Sequence, residues 1–377
     1  MSTRVRIGML RLADSAPVAV AKAGNLFKPL AIDPVLSIEP SWANLADKLT
    51  YGLLDAAVML PPLALSLAIG LRGPRADVIV PMGLSQGGNT IVLRGETPGA
   101  ETELPPGSRL LTWLARQPKP PRIAVVHRYS THNLLLRYWL ALTGVDPDRD
   151  IETVVVPPEL VVEALANGQI DGFCAGAPWG TAARLSGAGE VLLGTSDIWP
   201  FHPEKCLAVR AGWAAAHPEA LTRLLRALMR AQVLCDQPGE ADWVAEVLAD
   251  PEGLALPRAA TRAALPGHGG PGGGTGGGTG GGAGGGAAHE HILFHVAGAA
   301  HPAPPHGLWF LRQMRRWGWL DEGLDLAATV ASVYRPDLYS LAARMEDLFA
   351  VPPHARGHAA FATGLAFAGP ANAMPSR

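Results

Sequence analysis

Cysteine is scarce: Cys174, Cys206 and Cys235 form an odd set without regular spacing. That excludes a disulfide framework. Lysine is nearly as scarce, limited to Lys22, Lys28, Lys48, Lys119 and Lys205, while arginine carries most of the positive charge. The formal net charge of −2 provides no strong field for nucleic acid or an acidic membrane surface. No apolar run suits a bilayer span. The longest, Ala56–Leu71, contains Pro61 and Pro62 and is too short. The first residues lack the apolar core and small-residue cleavage site of an export signal, because the run after Arg6 breaks at Arg11 and Asp14. The expectation is a cytoplasmic protein with no membrane contact. Gly-x-Ser-x-Gly elbows, acid–base carboxylate pairs and Walker motifs are missing too. No catalytic residue, metal or cofactor is therefore expected.

What is present, within 377 residues, is alternation. Val5–Leu10, Pro34–Glu39, Ala56–Leu60, Val78–Met82 and Thr90–Leu93 read as strands. Ala16–Ala23, Trp42–Tyr51 and Pro62–Ile69 read as helices between them. After a Pro/Gly/Glu-rich break at Gly95–Gly107, Ile123–Val126 opens a second alternating block. A helix from Thr131 to about Leu142 follows, then Glu152–Val156, Pro158–Ala166, Gly172–Cys174 and Glu190–Leu193. From Cys206–Arg210 onward the pattern is mainly helical, and Leu221–Cys235 has helical apolar spacing.

Strands alternating with helices predict an α/β layer structure. Two such blocks predict a two-lobed periplasmic-binding-protein fold of type II, with a ligand cleft between the lobes and extra C-terminal helices. The expected division is 1–94 for the first part of lobe 1, 95–205 for lobe 2, and 206–350 for the return to lobe 1 and the C-terminal helices. Residues 267–286 are almost pure glycine and read as a flexible insertion. They do not form a phosphate cradle, because no Gly-Lys-Ser/Thr follows. Residues 351–377 read as a loose tail.

A small anion needs donors and one fixed positive charge away from water. Helix N-termini and strand ends supply such places. Trp42 follows Pro40-Ser41 at a helix start, and its indole N–H is a donor. Gln86 lies in Leu84-Ser85-Gln86-Gly87-Gly88-Asn89, read as a connection between two strands. His132 stands one residue into a helix, and Lys205 stands just before the strand returning to lobe 1. By residue type alone each has a plainer reading: Trp42 as core, His132 as a helix-end residue bonding a carbonyl, Lys205 as a solvated lysine. His289, His291 and His295 form a small cluster without the further ligands that zinc requires. Arg312–Arg316 with Trp317 and Trp319 reads as an amphipathic helix with a solvated face.

Several stretches together carry a family likeness. They are Thr131-His132-Asn133, Gly144-Val145-Asp146-Pro147-Asp148, Val154-Val155-Val156-Pro157-Pro158, Asp171-Gly172-Phe173-Cys174, Ala177-Pro178-Trp179 and His202-Pro203-Glu204-Lys205. They resemble the nitrate- and bicarbonate-binding proteins of ABC transporters, the NrtA/CmpA type. The resemblance implies a pocket of Trp42, Gln86, His132 and Lys205 for nitrate or nitrite. Transporter members usually carry Glu before Pro-Trp, where this chain has Ala177. That loss argues against a calcium-assisted bicarbonate site, and the Lys205 ammonium favours a bare monoanion. In this respect the chain is similar to NasS, a soluble nitrate/nitrite sensor. That likeness implies a NasT-like ANTAR antiterminator partner, released on anion binding, with no direct nucleic-acid contact. The alternatives are an exported transporter subunit and, from another class, a thiamine-pyrimidine-synthase-like enzyme.

Overall fold

The computed structural model describes residues 2–95, 104–267 and 290–348. The first lobe opens with strand β1 (Thr3–Met9), helix α1 (Ala16–Ala23), β2 (Ile32–Ile38), α2 (Trp42–Thr50), β3 (Ala56–Met59), α3 (Pro61–Ile69) and β4 (Val78–Gly87). Pro61 and Pro62 begin α3, where a missing N–H costs nothing. The long apolar run is thus a buried strand–helix unit. No described helix is long and apolar enough to cross a membrane.

The chain then crosses to a second sheet. β5 (Asn89–Arg94), α4 (Pro106–Leu114), β6 (Arg122–Val125), α5 (Thr131–Leu142), β7 (Glu152–Val155), α6 (Val161–Ala166), β8 (Gly172–Gly176), α7 (Trp179–Leu185) and β9 (Gly189–Gly194) build the second lobe. β10 (Pro203–Arg210) returns to the first sheet, followed by α8 (Ala211–Ala216), α9 (Pro218–Cys235), α10 (Ala241–Ala249) and α11 (Arg258–Ala264). The short β11 (Ile292–Leu293), α12 (Pro304–Arg316), α13 (Leu326–Val333) and α14 (Pro336–Met345) complete the described chain. The sheet orders are β11-β4-β10-β3-β1-β2 and β7-β6-β8-β5-β9. Each combines parallel strands with antiparallel crossing strands.

The molecule is therefore the expected two-lobed α/β fold, with two differences in detail. The crossing lies at Gly87-Gly88, ahead of the Gly95–Gly107 break, because β5 is bonded into the second sheet. Both glycines have left-handed φ, +71° and +80°, a conformation that side chains other than glycine rarely adopt. Part of the break itself forms α4, which buries Leu110 and Trp113. The Gly-rich stretch read as an insertion, and His289 beside it, fall outside the described residues apart from Gly267. So does the tail from Val351.

The lobes touch on both sides of their junction. Ala13 N–H donates to Ala177 C=O at 2.9 Å. On one flank Glu290, two residues before β11, accepts from Gly180 and Thr181 N–H of α7 at 2.8 and 2.9 Å. On the other, α12 packs against α3 of the first lobe and α5 of the second. The Arg137 guanidinium of α5 lies 4.5 Å from the Trp317 ring, and Arg128 lies 4.6 Å from Trp319. The Arg/Trp segment expected to be a solvated face is instead an inter-lobe packing surface.

Candidate functional site

Four junctions deliver side chains to one buried place. Ser41 caps α2, its hydroxyl accepting from Asn44 N–H, which puts Trp42 at the first helical position. Ser130 caps α5 in the same way through Asn133 N–H, leaving His132 in the first turn. Such caps satisfy donors that a helix start leaves orphaned. Gln86 does not sit in a connection but inside β4, paired across the sheet with Pro203 and Leu293. Lys205 likewise does not precede β10 but lies within it, opposite Ser85. Register shifts on both sides of Lys205 mark a bulge, and bulges re-aim side chains.

All four expected residues are buried, at 1–2% exposure. Lys205 Nζ stands 5.5 Å from the Trp42 ring centroid. It is 2.6 Å from Glu204 Oε1, which in turn is 3.7 Å from His132 Nδ1. Gln86 and Lys205 both line a cavity of about 20 Å³ beneath Ala299–Ala303. Trp42 Nε1, Gln86 Oε1 and His132 Nδ1 are buried without a hydrogen bond among the described residues. Buried polar atoms are nearly always satisfied; here Trp42 Nε1 and His132 Nδ1 are donors, and Gln86 Oε1 is an acceptor. His132 Nε2 accepts from Val126 N–H at 3.5 Å, which leaves the ring proton on Nδ1.

The sequence did not point to the carboxylates that accompany them. Asp14 Oδ2 lies 2.6 Å from Lys205 Nζ, equal to the Glu204 distance. Glu204 also accepts from Asn89 Nδ2 at 2.7 Å, and His202 Nδ1 stands 4.0 Å away. His202 is fixed by Thr195 Oγ1 at 2.7 Å. The Lys205 ammonium is thus doubly paired, not bare. The absence of a carboxylate at Ala177 therefore does not make the site poor in carboxylates.

Titration follows from these contacts. Burial alone would raise Glu204, but Lys205, His132 and His202 hold its carboxyl well below the usual range. Burial lifts Asp14 to about 6; Lys205 opposes this and Glu204 adds to it. Lys205 is held above its ordinary value: burial lowers it, and Asp14 and Glu204 more than offset that. Burial lowers His132, and lowers His202 to about 4, so both rings are neutral at pH 7. Cys174, whose thiol donates to His132 C=O, is pushed up by burial and stays protonated. Among the described residues no group of three or more His, Cys, Asp or Glu side chains could hold a metal ion.

Residues 1–249 match the NMT1-like family. The chain is 34% identical over 342 residues to the nitrate import ATP-binding protein NrtC of a Synechocystis species, covering 90% of this chain and 49% of that one. It spans about half the length of such NrtC relatives. It is 30% identical to the nitrate/nitrite binding protein NrtA of Synechococcus elongatus, over 96% of this chain and 83% of that one. The crystal structure of the periplasmic nitrate-binding protein NrtA from Synechocystis superposes with a TM-score of 0.81 at 26% identity. That match covers 93% of this chain and 92% of the other.

Proposed function

Because the chain belongs to the NMT1-like family, among relatives of NrtA, we propose that it binds nitrate or nitrite at the lobe junction. It acts as a binding protein, like the NrtA proteins, and not as an enzyme. The observation that carries this reading is the buried grouping of Trp42, Gln86, His132 and Lys205, in which the Trp42 and His132 N–H groups make no hydrogen bond among the described residues. Trp42 and His132 Nδ1 offer N–H groups, and Lys205 supplies charge close to the Trp42 ring. Ligand contacts drawn from both lobes exist together only in the closed form, so the anion shifts the population toward closure.

Closure is the signal in this proposal. The chain is a NasS-like cytoplasmic sensor whose open form holds a NasT-like antiterminator and whose anion-bound form lets it go. This finer reading is supported by the Ala177-Pro178-Trp179 sequence. An exported transporter subunit uses the same pocket and differs in what recognises the closed lobes. Size-exclusion chromatography of the chain mixed with its antiterminator separates the two. A complex that dissolves in millimolar nitrate but persists in chloride supports the sensor. No complex under either condition contradicts it.

A further inference from the structure

The junction cluster is more negative than positive. Asp14 and Glu204 both contact Lys205 Nζ, and all three side chains are almost wholly buried. The other ionisable groups facing them are neutral: His132 from α5 beside Glu204, His202 just before β10, and the thiols of Cys174 and Cys206, which burial keeps protonated. His127, near His132, is also kept neutral, chiefly by burial. One ammonium set against two carboxylates leaves the trio with a net charge of minus one. A bare monoanion would double that charge in a place shielded from water. Uncompensated buried charge is among the most costly arrangements a protein can adopt.

Building on the anion-binding reading above, we infer that this site takes up its monoanion together with one proton, and that Asp14 is the residue that carries it. The geometry singles out Asp14. Glu204 is committed to Lys205 and to Asn89, with His132 and His202 beside it. His132 has no free lone pair, because Nε2 already accepts from Val126 N–H. Asp14 Oδ1, by contrast, is buried without a hydrogen-bond partner. A proton from solvent forms the O–H bond there, and the Asp14 carboxylate becomes a neutral acid. Its ion pair with Lys205 is thereby dissolved. The ammonium keeps Glu204 and turns the released N–H toward the anion. Trio and anion together then carry the same minus one as before binding. Burial has already brought Asp14 to about 6, so the proton is readily acquired near neutrality.

The test is calorimetric titration of the full chain with sodium nitrate, at pH 8, in Tris and in HEPES. The two buffers release different heats on giving up a proton. The expected result is a buffer-dependent enthalpy equal to about one proton taken up per nitrate. Affinity should fall about tenfold per pH unit above Asp14's titration and level off below about pH 5. Asp14→Asn keeps the shape without the charge and should bind nitrate with no proton uptake and no pH dependence. Wild-type binding with buffer-independent heat overturns this inference alone. No heat with nitrate or nitrite at pH 6 overturns the anion reading and this inference with it.

Discussion

Asn89 Nδ2, on the second lobe, donates to Glu204 Oε2, on the first, at 2.7 Å, and both side chains are fully buried. This bond ties the lobes at the site itself. Truncating Asn89 to Ala leaves a buried carboxylate oxygen short of a donor, at a cost of about 1–3 kcal/mol. The open form does not pay that cost, since Glu204 can then reach water. Asn89→Ala should therefore enlarge the radius of gyration in X-ray scattering. An unchanged radius would show that the bond does not govern closure.

Lys205 is expected to be as important for folding as for binding. Lys205→Met places Asp14 and Glu204 together in a buried space with no cation. Breaking a buried pair in this way costs about 3–5 kcal/mol. Asp14→Asn in the same chain removes one of the two stranded charges and should restore part of the loss. Urea denaturation measures both variants. Equal stability of Lys205→Met and wild type would mean that the trio is not assembled as described.

Glu290 gives the fold a pH dependence of definite sign. Burial raises its carboxyl to about 7, against two backbone N–H donors from α7 that pull it down. The folded protein thus holds this proton more tightly than the unfolded chain does. Its stabilising contribution is fully present below about pH 4.5 and is lost as pH rises through about 7. The slope across that window approaches about 1.4 kcal/mol per pH unit. Asp14 adds a slope of the same sign in a lower window, lost as pH rises through about 6. Glu290→Gln should remove the Glu290 share alone, seen as a flatter curve of melting temperature between pH 5 and 8. Identical curves would contradict the assignment.

The crossing at Gly87-Gly88 should resist substitution. At Gly88, φ is +80°, and an added Cβ would meet Ile292 Cγ1 at 2.5 Å. Gly88→Ala should cost more than about 1 kcal/mol and alter closure, since Gly88 C=O also accepts from Ala177 N–H. Thermal melting with and without nitrate checks both effects. Wild-type stability with a wild-type nitrate shift would rule out a strained crossing.

Local pattern made most elements legible. α1 and the start of α5 coincide with their expected bounds, α1 through its apolar run and α5 also through its Ser130 cap. Gly87 and Gly88 suggest a connection at Gln86, yet β4 runs straight to that glycine pair. In the sequence Asp14 only marks the end of an apolar run. It in fact stands just beyond the C-terminal end of β1, where open α/β sheets hold ligands, and that position was the available signal. Glu204 was hidden for a different reason. Alternation along a strand sends neighbours to opposite faces, and only the bulge around Lys205 lets both reach one spot. Long-range pairings such as Asn89 with Glu204 leave no mark in local periodicity.

We propose that Trp42, Gln86, His132 and Lys205 hold a single oxyanion at the lobe junction. Titration calorimetry at pH 6 with nitrate, nitrite, bicarbonate and sulfate, on wild type, His132→Ala and Lys205→Ala, tests it most directly. Nitrate has few heavy atoms, which sets affinity at about the tens-of-micromolar range. One site for nitrate or nitrite of about that strength is expected, lost in both variants, with sulfate silent. Undiminished nitrate binding in both variants would contradict it.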